Sequence, residues 1–142
     1  MTGLDYTVRS TDFQSGLRAA LDRISGMARE VTTQVAEDMV NTAKSLAPVD
    51  TGRLRSSIQA VPEGGRFTFR ITIGTNVTYA SDVEYGTAPH VITPKDKKAL
   101  WWPGARHPVA KVNHPGTRAK PFMRPAIAQA EAALRRHAQG IR

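Results

Sequence analysis

Between Phe13 and Leu46 the apolar residues Phe13, Leu17, Leu21, Ile24, Ala28, Val31, Val35, Met39, Ala43 and Leu46 recur every three or four positions. That is the spacing of one face of an α-helix, and it predicts a long N-terminal helix over residues 12–47. Thr11 followed by Gln14 resembles a capping box at its start. Pro48 ends it, because the residue before a proline is pushed out of the helical region. At about 1.5 Å per residue the helix is roughly 54 Å long, more than a domain of this size is wide. A bend is therefore expected, with Gly26 its natural place. Residues 1–11 read as an N-terminal tail.

After Pro48 the periodicity changes. Val49-Asp50-Thr51-Gly52-Arg53-Leu54 is a polar turn, and a short apolar run leads through Ile58 to Val61. Pro62-Glu63-Gly64-Gly65 signals a second turn. Beyond it Phe67, Phe69, Ile71 and Ile73 alternate with Thr68, Arg70 and Thr72, the two-residue period of a half-buried strand. Residues 54–74 thus predict a β-hairpin whose apolar face the long helix covers. Tyr79, Val83 and Tyr85 suit a short helix that Gly86 ends. Pro125 is placed for the first turn of a C-terminal helix over 125–139, with Ile127, Ala130, Leu134, Ala138 and Ile141 as its apolar face. The expected class is α+β: a long N-terminal helix on a small, mostly antiparallel sheet, a protruding β-hairpin arm and a C-terminal helix.

Gly86 to Pro121 is too long for an ordinary connector, since unstructured connections beyond about 12–15 residues are usually functional or disordered. It contains Pro89, Pro94, Pro103, Pro108, Pro115 and Pro121, three histidines and the pair Trp101-Trp102. Disordered segments are poor in aromatics, so an extended arm is expected over 86–121. His90-Val91-Ile92 and Ala99-Leu100-Trp101-Trp102 are expected to pair around Pro94-Lys95-Asp96-Lys97, with Val109 to Val112 as a third run. In a strand, neighbouring side chains point to opposite faces. One tryptophan is then expected in a core and the other against a partner.

The 142 residues make a single domain, 1–142, large enough to bury a core. There is no cysteine, which excludes disulfides and thiolate metal sites. The N-terminus carries acids and no apolar run, and no window approaches the ~20 apolar residues of a membrane span, so a soluble, non-secreted protein without membrane contact is expected. Charge changes this picture more. Residues 1–85 hold nine Lys/Arg against ten Asp/Glu, net −1, and residues 86–142 hold eleven against two, net +9. Such a one-sided distribution suits nucleic acid or an acidic partner.

Little in the chain points to catalysis. His90, His107, His114 and His137 have neither cysteine partners nor helical pairing for a metal site. Ser56, Ser57 and Ser81 lie in no nucleophile motif. Asp82 and Glu84, two apart on a short helix, point away from each other and read as a solvated or salt-bridged surface. No catalytic, cofactor-binding or metal-binding residue is assigned. At Asp50-Thr51-Gly52, Asp50 can bond the backbone two residues on, and Arg53 or Arg55 is expected to pair with a carboxylate such as Glu84, in the same subunit or the next. His114-Pro115-Gly116-Thr117 is a turn, and Phe122 and Met123 precede the last helix, where they can staple it to the sheet.

Three separated segments resemble one family. They are Ala47 to Ile58, with Asp50, Thr51, Gly52, Arg53 and Leu54; Tyr79 to Thr87, with Glu84, Tyr85 and Gly86; and His114-Pro115-Gly116-Thr117 leading to Pro121-Phe122-Met123-Arg124-Pro125-Ala126. In order and spacing they resemble the small neck or tail-completion proteins of long-tailed bacteriophages and prophages, over about residues 40–128. The resemblance implies a non-enzymatic virion protein at the head-to-tail junction or upper tail, assembled in the host cytoplasm. It implies a ring of identical subunits, a hexamer or dodecamer, with neighbouring neck and tail proteins as partners and genomic DNA passing through. The segment residues, with Trp101 and Trp102, are the expected interface and structural positions. The alternative is a small basic nucleic-acid-binding module using the C-terminal half.

Overall fold

A computed structural model describes residues 10–140. Residues 1–9 of the expected tail, and Ile141 of the expected C-terminal face, lie outside them. Helix α1 spans Ser10–Leu46, 37 residues. It stays helical through Gly26, and Thr11 lies within it, not at its cap. Beyond Leu46, Pro48 prevents continuation.

The apolar stripe of α1 is used in two ways. Val31, Val35, Ala36, Met39 and Ala43 are buried, whereas Phe13, Leu17, Ile24 and Met27 are exposed. Every residue from Thr11 to Ala20 is exposed, so the body covers the helix only from about Leu21 on, where Ile24 and Met27 stay exposed beside buried Ser25. The hairpin tip reaches Asp22, which Arg66 meets at 3.4 Å, and the C-terminal helix ends beside Met27 and Glu30. Leu46 is also exposed, and Ala47 takes the buried position instead.

A short helix, α2 (Arg53–Ser57), occupies the start of the segment expected to be strand. It begins at Gly52, whose φ of 80° lies in the left-handed region that a glycine adopts without strain. Strand β1 (Gln59–Gly64) pairs antiparallel with β2 (Phe69–Gly74), from Gln59 opposite Gly74 to Gly64 opposite Phe69. Pro62 to Gly64 therefore lie in the strand, and the turn falls at 65–68, closed by the Gly65 N–H on the Thr68 carbonyl at 2.8 Å. Phe67 sits exposed at this tip. Phe69, Ile71 and Ile73 alternate with exposed Arg70, Thr72 and Gly74, as the two-residue period requires, and Ile71 and Ile73 pack against the α1 residues of the core.

Helix α3 (Ala80–Tyr85) ends at Gly86, and after the arm come α4 (Met123–Ala128) and α5 (Ala130–Gln139). The C-terminal face differs from the expected one. Ala126 and Ala133 are buried against α1, and Ile127 and Leu134 are exposed. Alanines let two helices approach closely, so the packed stripe is the one with the smaller side chains. Two clusters make the core. One joins Ala43, Ala47, Leu54, Ile58, Val77, Ala80, Phe122 and Ala126; the other joins Val31, Val35, Met39 and Ala133.

The arm is a two-stranded ribbon with a different partner from the one expected. Strand β3 (His90–Ile92) pairs with β4 (Val112–His114), not with residues 99–102. The bridge between Thr87 and Thr117 fixes this register, since His90 opposite His114 continues it. Leu100 bridges Val109 further out, so Thr93 to Ala99 loops outward against only Ala110 and Lys111. Neither tryptophan enters a core: Trp101 is 63% and Trp102 46% exposed.

Candidate functional site

The segments that carry the family resemblance meet at the base of the arm. Glu84, on the last turn of α3, is buried with a side chain only 5% exposed. Its Oε2 accepts the backbone N–H of Phe122 at 2.8 Å and of Met123 at 2.9 Å. Its Oε1 accepts the backbone N–H and the Nε of Arg124, both at 3.1 Å. A helix leaves its first N–H groups without partners. Phe122, at the N-cap of α4, offers no side-chain bond, and Pro125 has no N–H to satisfy. Glu84 thus caps α4 from across the fold. This corrects the surface reading of Glu84.

The Arg124 guanidinium reinforces the joint. It donates to the Glu84 carbonyl at 3.4 Å and lies 5.0 Å from the centre of the Tyr85 ring, in cation–π range. The Lys120 N–H donates to the Val83 carbonyl at 2.8 Å, tying the returning segment to α3. Burial pushes the Glu84 carboxyl up, but the three backbone N–H groups and Arg124 outweigh it and hold the carboxyl below its ordinary value.

Two glycines let the arm close on itself. Gly86 has φ 75° and Gly116 φ 87°, and a Cβ at Gly86 would stand 2.5 Å from the Thr117 carbonyl oxygen. A Cβ at Gly116 would collide with the Thr87 carbonyl oxygen. Between them Thr87 and Thr117 exchange backbone hydrogen bonds of 3.0 and 3.1 Å. His114 Nδ1 accepts the Gly116 N–H at 3.1 Å across exposed Pro115, and its ring lies 5.0 Å from that of His90.

Other assigned positions serve the core or the surface. Leu54 is buried beside Phe122, whereas Asp50, Thr51, Arg53 and Arg55 are exposed. The turn bond comes from Thr51, whose Oγ1 accepts the Arg53 N–H at 3.5 Å, in place of the bond expected from Asp50. Glu84 takes Arg124 as its ionic partner, not Arg53 or Arg55. Tyr79, Tyr85 and Pro121 are exposed. Sequence reasoning missed the pairing of Glu84 with Arg124. The signal was a helix start, Pro121-Phe122-Met123, with no Ser, Thr, Asp or Asn of its own to cap it.

A second tie also went unread. Asp38 on α1 accepts from Arg136 and from His137 Nε2 on α5, each at 2.9 Å. The His137 bond, then Arg136, hold the Asp38 carboxyl below its ordinary value against the effect of burial.

Among the described residues no group of three or more His, Cys, Asp or Glu could hold a metal ion. A surface depression of about 510 Å³ lies apart from the joint, between α1 and β1. Glu37, Asn41 and Lys44 rim it over Val40, Ile58 and Pro62.

The motif residues therefore build a structural joint in an α+β body with a projecting arm. The family model described as "Bacteriophage HK97-gp10, putative tail-component" matches residues 11–86, more than half of the chain, and the chain belongs to that family. The match takes in α1, which carries no motif, and ends at Gly86, so the third segment lies outside it. Comparison with curated proteins and with solved structures returned no match.

Proposed function

We propose that this tail-family protein is a non-enzymatic assembly component at the head-to-tail junction or upper tail, made in the host cytoplasm and closing into a homo-oligomeric ring. One observation carries the reading. The large apolar side chains lie mostly outside: among the described aromatic residues only Phe122 is buried, while Phe13, Phe67, Tyr79, Tyr85, Trp101 and Trp102 are exposed. Extensive exposed apolar surface marks interaction sites. A ring needs two different patches on each subunit, and the arm can supply one while the body supplies the other. The Glu84 joint and the glycine crossing fix the arm's base, so its tip is presented in a set direction.

Lys95, Lys97, Lys98, Arg106, Lys111, Arg118 and Lys120 face a single acid on the arm, Asp96, and none of them makes an ion pair among the described residues. An acidic neighbouring protein suits that surface, with the tryptophans as apolar anchors. The double variant Trp101→Ala/Trp102→Ala is expected to lower oligomeric mass by light scattering while far-UV circular dichroism stays unchanged. Unaltered mass would remove the arm from the contact.

The same unpaired cations favour one other reading, a nucleic-acid-binding module. Binding through several phosphates falls steeply between low and moderate salt. On the assembly reading, gel shifts over a salt series show no tight complex that low salt creates and moderate salt abolishes. Such a complex would make nucleic acid the partner of the arm.

A further inference from the structure

Among the described residues β1 pairs with β2 alone, so the other edge of β1 has no strand beside it. A free edge is a template for a further strand. Pro62, with no N–H to give, belongs at such an edge. The depression of about 510 Å³ between α1 and β1 runs along it. No β2 residue lines that depression, and its floor is Ala36 and Val40 of α1 with the alternate residues Ile58, Ala60 and Pro62. A second depression of about 330 Å³ shares Thr33 and Pro62 with the first and carries the trough on to Arg29 and Gly64. The six residues of β1 give this trough a length of about 20 Å.

The sequence ahead of α1 has the matching pattern. Leu4, Tyr6 and Val8 alternate with Asp5, Thr7 and Arg9, the two-residue period of a half-buried strand. Six extended residues also cover about 20 Å, and their apolar side chains recur at the spacing of Ile58, Ala60 and Pro62. We propose that residues 4–9 of one copy add to the free edge of β1 in a second copy as its third strand, with Leu4, Tyr6 and Val8 turned into the trough.

Chain length selects the second copy. From Ser10 to Arg29, the nearest α1 residue of the trough, the helix covers about 28 Å. Fully extended from Ser10, Leu4 reaches at most about 22 Å and Val8 about 7 Å. A copy's own β1 is therefore out of range of its own segment. Laid back along its own α1 instead, the segment would leave its backbone groups without strand partners. The trough of another copy supplies them, through main-chain hydrogen bonds with alternate side chains in the groove. The acceptor gains as well, since a two-stranded sheet is marginal and a third strand completes it. Donor segment and acceptor trough are different surfaces, so the contact runs head to tail and is compatible with a closed ring. It rests on the homo-oligomer proposed above, though not on the arm.

The chain has no cysteine, so introduced cysteines report the contact in the full-length protein. Leu4→Cys, Tyr6→Cys and Val8→Cys are each co-expressed with a differently tagged chain carrying Ala60→Cys, and mildly oxidised. Donor controls are Asp5→Cys and Thr7→Cys; the acceptor control is Arg70→Cys, on the exposed side of β2. Mixed disulfides are expected at one or more of the three donor positions, several-fold above the controls. Deleting residues 2–9, which leaves every described core residue in place, is expected to speed hydrogen exchange of the β1 amides. Yields no higher than the controls, or β1 amides that exchange alike with and without residues 2–9, overturn the third strand. A disulfide between Tyr6→Cys and Leu17→Cys within one chain, in place of the mixed ones, also overturns it and lays the segment on its own helix. If the strand is overturned while the tryptophan variant still loses mass, the ring reading stands without it. Mixed disulfides with no change in the tryptophan variant keep the strand and reject the arm contact.

Discussion

Glu84→Ala is expected to cost about 3–5 kcal/mol, the sum for backbone N–H groups that lose a buried acceptor, while the Arg124 guanidinium, 57% exposed, is left to solvent. The loss is large because one side chain satisfies four donors. Without it the N–H groups of Phe122, Met123 and Arg124 lose this acceptor, and each unsatisfied buried group costs about 1–3 kcal/mol. For a chain of this size the melting temperature should fall by roughly 10 °C or more. Glu84→Gln keeps one carbonyl acceptor but turns an amide NH₂ toward donors, so an intermediate loss is expected. Denaturant unfolding measures both; a loss below about 1 kcal/mol for Glu84→Ala would show that the cap is not what holds α4. The same group sets a pH dependence. Its folded-state carboxyl is lowered, as is that of Asp38, so the stability they confer is fully present above the ordinary carboxylate range. It is lost as pH falls through and below that range. Wild-type stability should therefore decline on acidification below about pH 4, and Glu84→Ala should show a shallower decline.

Phe122→Ala is the second large effect, about 3–5 kcal/mol for a phenylalanine truncated in a core. Phe122 is fully buried among Leu54, Ile58, Val77, Ala80 and Ala126, so its ring joins residues from all three motif segments. Against a total stability of about 5–15 kcal/mol such a loss leaves a marginal protein. Because the Phe122 N–H is also held by Glu84, the two substitutions act on one joint. The double variant should lose less than the sum of the single losses. Additive losses would mean that cap and core are energetically separate. By contrast Ile127→Ala, on the exposed side of α4, is expected to change stability by less than about 0.5 kcal/mol.

What could be read from the sequence depended on how local its cause was. The long helix, the alternation of Phe69, Ile71 and Ile73, and the helix ending at Gly86 are set by periodicity or by one residue's backbone freedom, and each stands in the fold. Periodicity does not say where the rest of the chain runs out. For that reason Phe13, Leu17 and Ile24 share the predicted face with the buried residues and are exposed. On the C-terminal helix the larger residues Ile127 and Leu134 suggested the packed face, but close approach to α1 selected the alanines beside them. The arm's register depends on a bridge between Thr87 and Thr117, thirty residues apart, which no local pattern announces. The motif segments were legible as segments. Their purpose was not, because a carboxylate capping a helix 38 residues away leaves no spacing signature.

Reconstruction of the assembled head-to-tail junction of the virion tests most directly whether this chain forms a ring joined through its arms. The expected density is a closed ring of identical subunits, with Trp101 and Trp102 of each buried against a neighbour and Lys95, Lys97, Lys98 and Arg106 facing protein. A ring closed through other surfaces, with the arms in solvent and those four cations without a protein neighbour, would contradict it.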